Sequence, residues 1–238
     1  MKIALIGYGK MGKEIERCAS EKGIAVSAVF DENKPVTVGG IRDADVCIDF
    51  SIPSAVVHNA CIYANAKKNA VIGTTGWLEH LDKISDVVRH AGIGLIHASN
   101  FSIGVNVFMQ IVAYASERMN AFEDYDAYIH EIHHNQKLDS PSGTALSIGK
   151  IMLEKIERKR ALLSDTSKEK IQSDQLHVTS TRTGSVPGTH MVGFDSPADT
   201  IELTHTARNR TGFALGALYA AEWIQGKKGL YTMADILK

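Results

Sequence analysis

"KIALIGYGKMGKEIERCASEKGIAVSAVFD", residues 2–31, decides the fold. It opens with an apolar run ending at Gly7, the pattern of a strand buried on both faces. The next segment sets Met11, Ile15, Cys18 and Ala19 on one helical face, and Gly23 falls where the helix should stop. "IAVSAVFD" is a second apolar strand, ending in Asp31. Strand, helix and strand joined by short turns make a βαβ unit.

Between the first strand and the helix lies "GYGKMG", a GxGxxG match at Gly7, Gly9 and Gly12. Such a match is weak alone and gains force from its position at a strand-to-helix turn. Gly7 permits the tight turn and Gly9 lets backbone approach a pyrophosphate. Gly12 lets helix and strand pack closely. Lys10 and Met11 sit in the same loop, at a helix N-terminus whose N–H groups suit phosphate. Asp31 stands where a carboxylate would accept from an adenosine ribose hydroxyl, and it would repel a 2′-phosphate. The expected cofactor is NADH or NADPH, with the lean toward NADH; nearby Lys34 softens the repulsion.

The alternation continues outward. Residues 45–50 and 69–76 read as strands, 54–68 and 80–92 as helices, and 93–100 as a strand. This predicts a Rossmann-type doubly wound parallel sheet. "GTTG" (Gly73, Thr74, Thr75, Gly76) and "ASNFS" (Ala98, Ser99, Asn100, Phe101, Ser102) follow strands, the end at which open parallel sheets bind ligands. These loops are expected to touch the nicotinamide end of the cofactor.

The texture changes near residue 101. A long apolar helix is expected over residues 102–119, then "YDAYIHEIHH" (125–134), which alternates like an antiparallel strand with Tyr125, Ala127, Ile129 and Glu131 on one face. "TALSIGKIMLEKIERK" (144–159) reads as a helix and polar residues 164–175 as an exposed loop. Residues 176–184, 188–197 and 199–208 read as hairpin-linked antiparallel strands. A closing helix (211–226) and a short tail end the chain. The expected layout is a dinucleotide-binding domain over 1–100, joined again by 211–238. A smaller α+β substrate-binding and oligomerisation domain occupies 101–210, with a mainly antiparallel or mixed sheet.

The bulk numbers exclude several classes. The chain has 238 residues, 44% hydrophobic and 22% charged, with a formal charge of -1. No basic surplus draws it to nucleic acid or anionic membrane. No run approaches the roughly 20 apolar residues of a membrane span, and the N-terminus lacks the apolar core of a signal peptide. Cys18, Cys47 and Cys61 are odd in number with no CxxC spacing, as expected of thiols in a reducing compartment. The expected location is cytoplasmic.

"EIHHNQKLDSPSGTA", residues 131–145, carries the densest chemistry. Pro141, Ser142, Gly143 and Thr144 open an apolar helix, so unpaired N–H groups and the helix dipole face whatever approaches, an arrangement that favours an anion. His133 and His134 carry imidazoles, the side chain best suited to passing protons near neutral pH. Lys137 adds a fixed charge and a second possible donor. No third ligand at recognisable spacing joins the histidines, so no metal is expected. The cluster reads as a receiver for a small carboxylate with proton donors at hand.

The same stretch resembles the signature of the 4-hydroxy-tetrahydrodipicolinate reductase (dihydrodipicolinate reductase) family: an acidic residue followed by x-H-H-x-x-K-x-D-x-P-S-G-T-A. The glycine loop, "GTTG", "SNFSIGVN", "RTGSVPGTH" and "GLYTMADIL" resemble the family too, in its order. The resemblance implies NAD(P)H-dependent reduction of a cyclic imine dicarboxylate to tetrahydrodipicolinate with loss of water, in diaminopimelate and lysine biosynthesis, by a homotetramer. It implies His133 as proton donor or acceptor and Lys137 as second donor. His134, Ser142, Gly143, Thr144 and Arg210 are the implied substrate contacts, with Arg208 a nearby competitor for the last role. Lys10 stands where many members carry arginine. A nucleotide sensor without catalysis, or a dehydrogenase of another small acid, are the alternatives.

Overall fold

The computed structural model describes residues 1–164 and 167–238. By contacts the chain divides into two compact units, Met1–Asn106 with Arg210–Lys238, and Val107–Asn209.

The first unit is built on a six-stranded sheet. Its elements are β1 (Lys2–Ile6), α1 (Lys10–Glu21), β2 (Ala25–Phe30), β3 (Val46–Asp49), α2 (Pro53–Asn65), β4 (Asn69–Ile72), α3 (Leu81–Ala91) and β5 (Gly94–His97). The chain returns to this unit with α6 (Thr211–Trp223), β11 (Gly229–Tyr231) and α7 (Met233–Ile236). Strand order is β11-β5-β4-β3-β1-β2 and every pairing is parallel. Side chains alternate across the sheet. Ala4, Ile6, Cys47, Ala70, Ile72 and Leu95 enter the core beneath α2 and α3. Ile3, Leu5, Val46, Ile48, Val71 and Ile96 enter the core that α1 and α6 cover with Ile15, Cys18, Ala217 and Leu218. Burial on both faces explains why these strands read as unbroken apolar runs. The tail is more than a tail: its three residues 229–231 pair with β5 as an edge strand.

The second unit holds β6 (Asp126–His133), α5 (Gly143–Lys155), β7 (Ala161–Leu163), β8 (Gln175–Arg182), β9 (Thr189–Asp195) and β10 (Thr200–Thr206). It also takes most of α4 (Ile103–Met119). The sheet order is β10-β9-β6-β8-β7, and the sheet is mixed. The expected hairpin is found only between β9 and β10. β6 inserts between β9 and β8, antiparallel to the first and parallel to the second. A parallel neighbour requires a crossover, and α5 lies on it. α5 stops at Lys155, short of the expected residue 159, because Ile156 turns extended and buried. Short β7 follows in the gap between the expected helix and the expected loop, where no element was expected. The exposed-loop expectation over 164–175 includes Asp165 and Thr166, which lie outside the described residues. Phe108 and Val112 of α4 and Ile148 and Met152 of α5 pack on Ala127, Ile129, Val178 and Val192. Cys18 and Cys47 are buried thiols and Cys61 is half-buried. Among the described residues no helix is long and apolar enough to cross a membrane.

Candidate active site

In the first unit, the chain leaves β1 through Gly7 at φ 87°, a conformation that favours glycine. A side chain there would strike the Phe50 carbonyl just past β3. Gly12 is buried against the Gly7 carbonyl, so its need for hydrogen is steric contact with the loop itself. Gly9 differs: nothing lies within 4 Å of a Cβ built there. It caps α1 without a side-chain hydrogen bond, and no acidic residue stands in the first turn. The start of α1 therefore keeps its positive end and an open approach. Lys10 is exposed, and Met11 packs partly on the core beneath α1.

Asp31, just past β2, accepts at Oδ1 from the N–H groups of Asn33 (2.9 Å) and Lys34 (3.0 Å). The Lys34 ammonium sits 5.3 Å from the centre of the Phe30 ring. Past β4, Gly73 is pressed against the Phe50 ring, and Thr75 is exposed. Thr74 turns inward: its hydroxyl donates to Asp49 (3.2 Å), and its carbonyl accepts from the Trp77 indole (2.7 Å). Past β5, Ser99 is exposed, Ala98 is half-buried, and Asn100 accepts from the Ser102 N–H (2.9 Å). Phe101 is buried in the core, and its carbonyl packs against Gly216 of α6.

The second unit gathers a different set. The inward face of β6 is apolar at Ala127 and Ile129, then polar at Glu131 and His133, all buried. Glu131 is fully enclosed. One of its oxygens, Oε1, accepts from Arg182 (2.7 Å) and from the Ser142 N–H (3.1 Å). The other, Oε2, accepts from His133 Nδ1. Burial pushes the Glu131 pKa up, but the hydrogen bonds from Arg182 and His133, the Ser180 hydroxyl and the His133 charge prevail and hold it at about 2. His190, on β9 opposite Glu131, packs edge-on to His133 with ring centres 5.2 Å apart. Burial, then the neighbouring His133 charge, takes the His190 pKa down to about 4. Its Nε2 lies 3.1 Å from the Ser142 hydroxyl, which also caps α5 by accepting from the Ala145 N–H (3.2 Å).

Beyond this cluster β6 gives way to a turn. His134 is half-buried and its carbonyl accepts from the Lys137 N–H (3.1 Å). The Lys137 ammonium pairs with Asp139 at 2.7 Å and holds that carboxyl below its ordinary range. Gly143, the first residue of α5, is exposed with open space where a Cβ would stand, and Thr144 is half-buried.

The structure thus joins His133 to Ser142 through Glu131, and sets His134, Lys137, Gly143 and Thr144 on the flanking turn and helix start. Arg210 is not in that unit. It is the exposed N-cap of α6 in the first unit, where its charge acts on Glu14. Arg208 is exposed at the end of the second unit. The sequence reading passed over Arg182, Gly188 and His190, although all three stand in "RTGSVPGTH", and it overlooked Asp49.

Two family profiles match the chain, "Dihydrodipicolinate reductase, N-terminus" over residues 1–101 and "Dihydrodipicolinate reductase, C-terminus" over residues 104–237. The 4-hydroxy-tetrahydrodipicolinate reductase of Christiangramia forsetii is 41% identical over 239 residues, covering 100% of this chain and 98% of the relative. The enzyme of the same name from Archaeoglobus fulgidus is 36% identical over 263 residues, covering 100% of both. The dipicolinate-bound dihydrodipicolinate reductase from Paenisporosarcina sp. TG-14 superposes with a TM-score of 0.80 at 23% identity. That match covers 98% of this chain and 97% of the other, and speaks for the fold. The chain belongs to the dihydrodipicolinate reductase family of NAD(P)H-dependent oxidoreductases.

Proposed function

We propose that this chain reduces the cyclic imine dicarboxylate formed from 4-hydroxy-tetrahydrodipicolinate to tetrahydrodipicolinate, with loss of water, in diaminopimelate and lysine biosynthesis. The observation that carries the reading is the buried Glu131–His133 pair beside an open helix start at Gly143. That pairing offers a proton donor and an anion site together.

In this reading the first unit holds the dinucleotide. Gly7, Gly9, Lys10, Met11 and Gly12 take the pyrophosphate, and Asp31 takes the adenosine ribose. Gly73, Thr74, Thr75, Ala98, Ser99, Asn100 and Phe101 form the loops at the nicotinamide end. A bound nicotinamide supplies the hydride. His133 supplies or accepts the proton at Nε2, and Lys137 is the second donor once a substrate carboxylate competes with Asp139. The α5 start, through Gly143 and Thr144, receives a carboxylate with His134. Ser142 contributes by shaping the site, because its hydroxyl and N–H are both committed inside the protein.

The Asp31 carboxylate favours NADH, and the Lys34 cation lets NADPH serve as well. We read the assembly as a homotetramer, supported by the exposed apolar face of Val107, Ile111 and Tyr114 on α4 and by β10 as a sheet edge with exposed Ile201. A cytoplasmic location is supported by three unpaired thiols.

Purified protein given a reduced nicotinamide and enzymatically made 4-hydroxy-tetrahydrodipicolinate tests the reading. Nicotinamide absorbance should fall with either cofactor, with the lower KM for NADH. A flat trace with both would remove the proposal.

A further inference from the structure

Glu131, Arg182 and His190 form a connected set for which the proposed reaction names no role. The two oxygens of Glu131 are not equivalent. Oε1 receives two donors that cannot turn into acceptors, the Arg182 guanidinium (2.7 Å) and the Ser142 backbone N–H (3.1 Å). Oε2 is left to His133 Nδ1. An ionised carboxylate only accepts, so the ring must place a proton on Nδ1. His190 packs edge-on against the ring and limits its swing. On the far side, a Cβ at residue 188 would lie 2.8 Å from His133 Nε2, and the residue there is glycine at φ 151°. Glycine at 188 keeps a side chain off that nitrogen.

We propose that Glu131 is a positioning residue. It fixes His133 as the Nδ1–H tautomer with Nε2 as the working nitrogen, and Arg182 and the Ser142 amide select the carboxylate oxygen that does so. This rests on the reading of His133 as the proton donor. The low Glu131 pKa agrees, since the carboxylate stays ionised throughout the neutral range.

The arrangement gives Glu131→Gln a specific outcome. Arg182 and the Ser142 N–H draw the amide oxygen to the Oε1 place, so the amide NH2 faces His133 Nδ1. The neutral ring must then accept at Nδ1 and carry its proton on Nε2. The protonated ring loses its counter-charge and meets a donor instead.

The test combines nitrogen-15 NMR of the imidazoles with steady-state kinetics. At about pH 9, where an imidazole is ordinarily neutral, wild-type His133 should carry its proton on Nδ1, and Glu131→Gln should carry it on Nε2. The kcat of Glu131→Gln should fall about 100-fold, within the usual range for a lost acid–base contribution. The dicarboxylate KM should change by less than roughly threefold. Glu131→Asp keeps the charge and should recover kcat to within about tenfold of wild type. A wild-type ring with a bare Nδ1 overturns the proposal, and that spectrum decides the matter even should Glu131→Gln not fold. Wild-type kcat in Glu131→Gln also overturns it. His133→Gln separates the two levels: if it keeps full turnover, the donor reading fails. If it loses turnover while Glu131→Gln does not, only the present inference fails.

Discussion

Asp49 at the end of β3 and Glu131 near the end of β6 are both fully buried carboxylates, and the protein surrounds them differently. Asp49 accepts from the Ser51 N–H (2.9 Å), Asn59 (3.0 Å), Tyr63 (2.7 Å) and Thr74 (3.2 Å), all neutral groups. Burial and the Asp49 charge push the Tyr63 pKa well above its ordinary value, so that partner stays a plain donor. Glu131 accepts from a guanidinium and an imidazole. The Asp49 cluster ties the turn after β3 to the "GTTG" loop. The Glu131 cluster contains an imidazole, a group able to pass a proton. Burial alone assigns no chemistry to a carboxylate; its partners do.

The largest effect that would sharpen this contrast comes at Gly188. Gly188→Ala sets a methyl on His133 Nε2 and strains a backbone at φ 151°. We expect kcat to fall by roughly 100- to 1000-fold, with NADH affinity held within about twofold by fluorescence titration. Wild-type turnover would mean that Nε2 faces elsewhere.

Acid unfolding separates the groups of the second unit. The folded His190 pKa, about 4, lies below its ordinary 6.5. Unfolded chains bind that proton first, so stability falls as pH drops from 6.5 toward 4. The loss is at most roughly 3 kcal/mol, less after solvent screening. Glu131 is also depressed, from 4.5 to about 2, so the stability it contributes is present above 4.5 and lost as pH falls through 2. His190→Gln should make the upper window shallower, where His205 and His97 with their lowered pKa values also act, and leave the lower one, measured by urea unfolding at stepped pH. An unchanged upper window would show that His190 is not held neutral.

Asp49→Asn is the smaller structural counterpart. The amide must turn its NH2 toward either the Ser51 N–H or the Asn59 amide, and one donor loses its partner. A loss of about 2 kcal/mol is expected, with kcat at saturating cofactor within about threefold of wild type. A collapse of turnover without loss of stability would erase the distinction between the two carboxylates.

Much of the first unit was legible because its strands are buried on both faces and its turns are short. The three-residue strands β7 and β11 were not, since three residues carry no period. The place of β6 was hidden for another reason. Its alternation is the same beside a parallel or an antiparallel neighbour, and pairing with β8 depends on residues about 50 positions away, as between His130 and Thr179. In the site, His133, His134, Lys137 and the α5 start stand in one contiguous stretch and could be read together. Arg182 reaches Glu131 from 51 positions along the chain. A lone arginine after "TST" gives no sign of a buried carboxylate waiting for it. Thr74 and Phe101 looked like ligand contacts by position, yet one side chain serves Asp49 and the other the core. Loop position predicts where backbone goes better than where side chains point.

The central claim is that His133 moves the proton in a nicotinamide-dependent reduction. The most direct test is kcat of His133→Ala with NADH and 4-hydroxy-tetrahydrodipicolinate, alongside its NADH dissociation constant. The account predicts a fall in kcat of about 1000-fold, with the dissociation constant unchanged within twofold or so. Full turnover in that variant would contradict it.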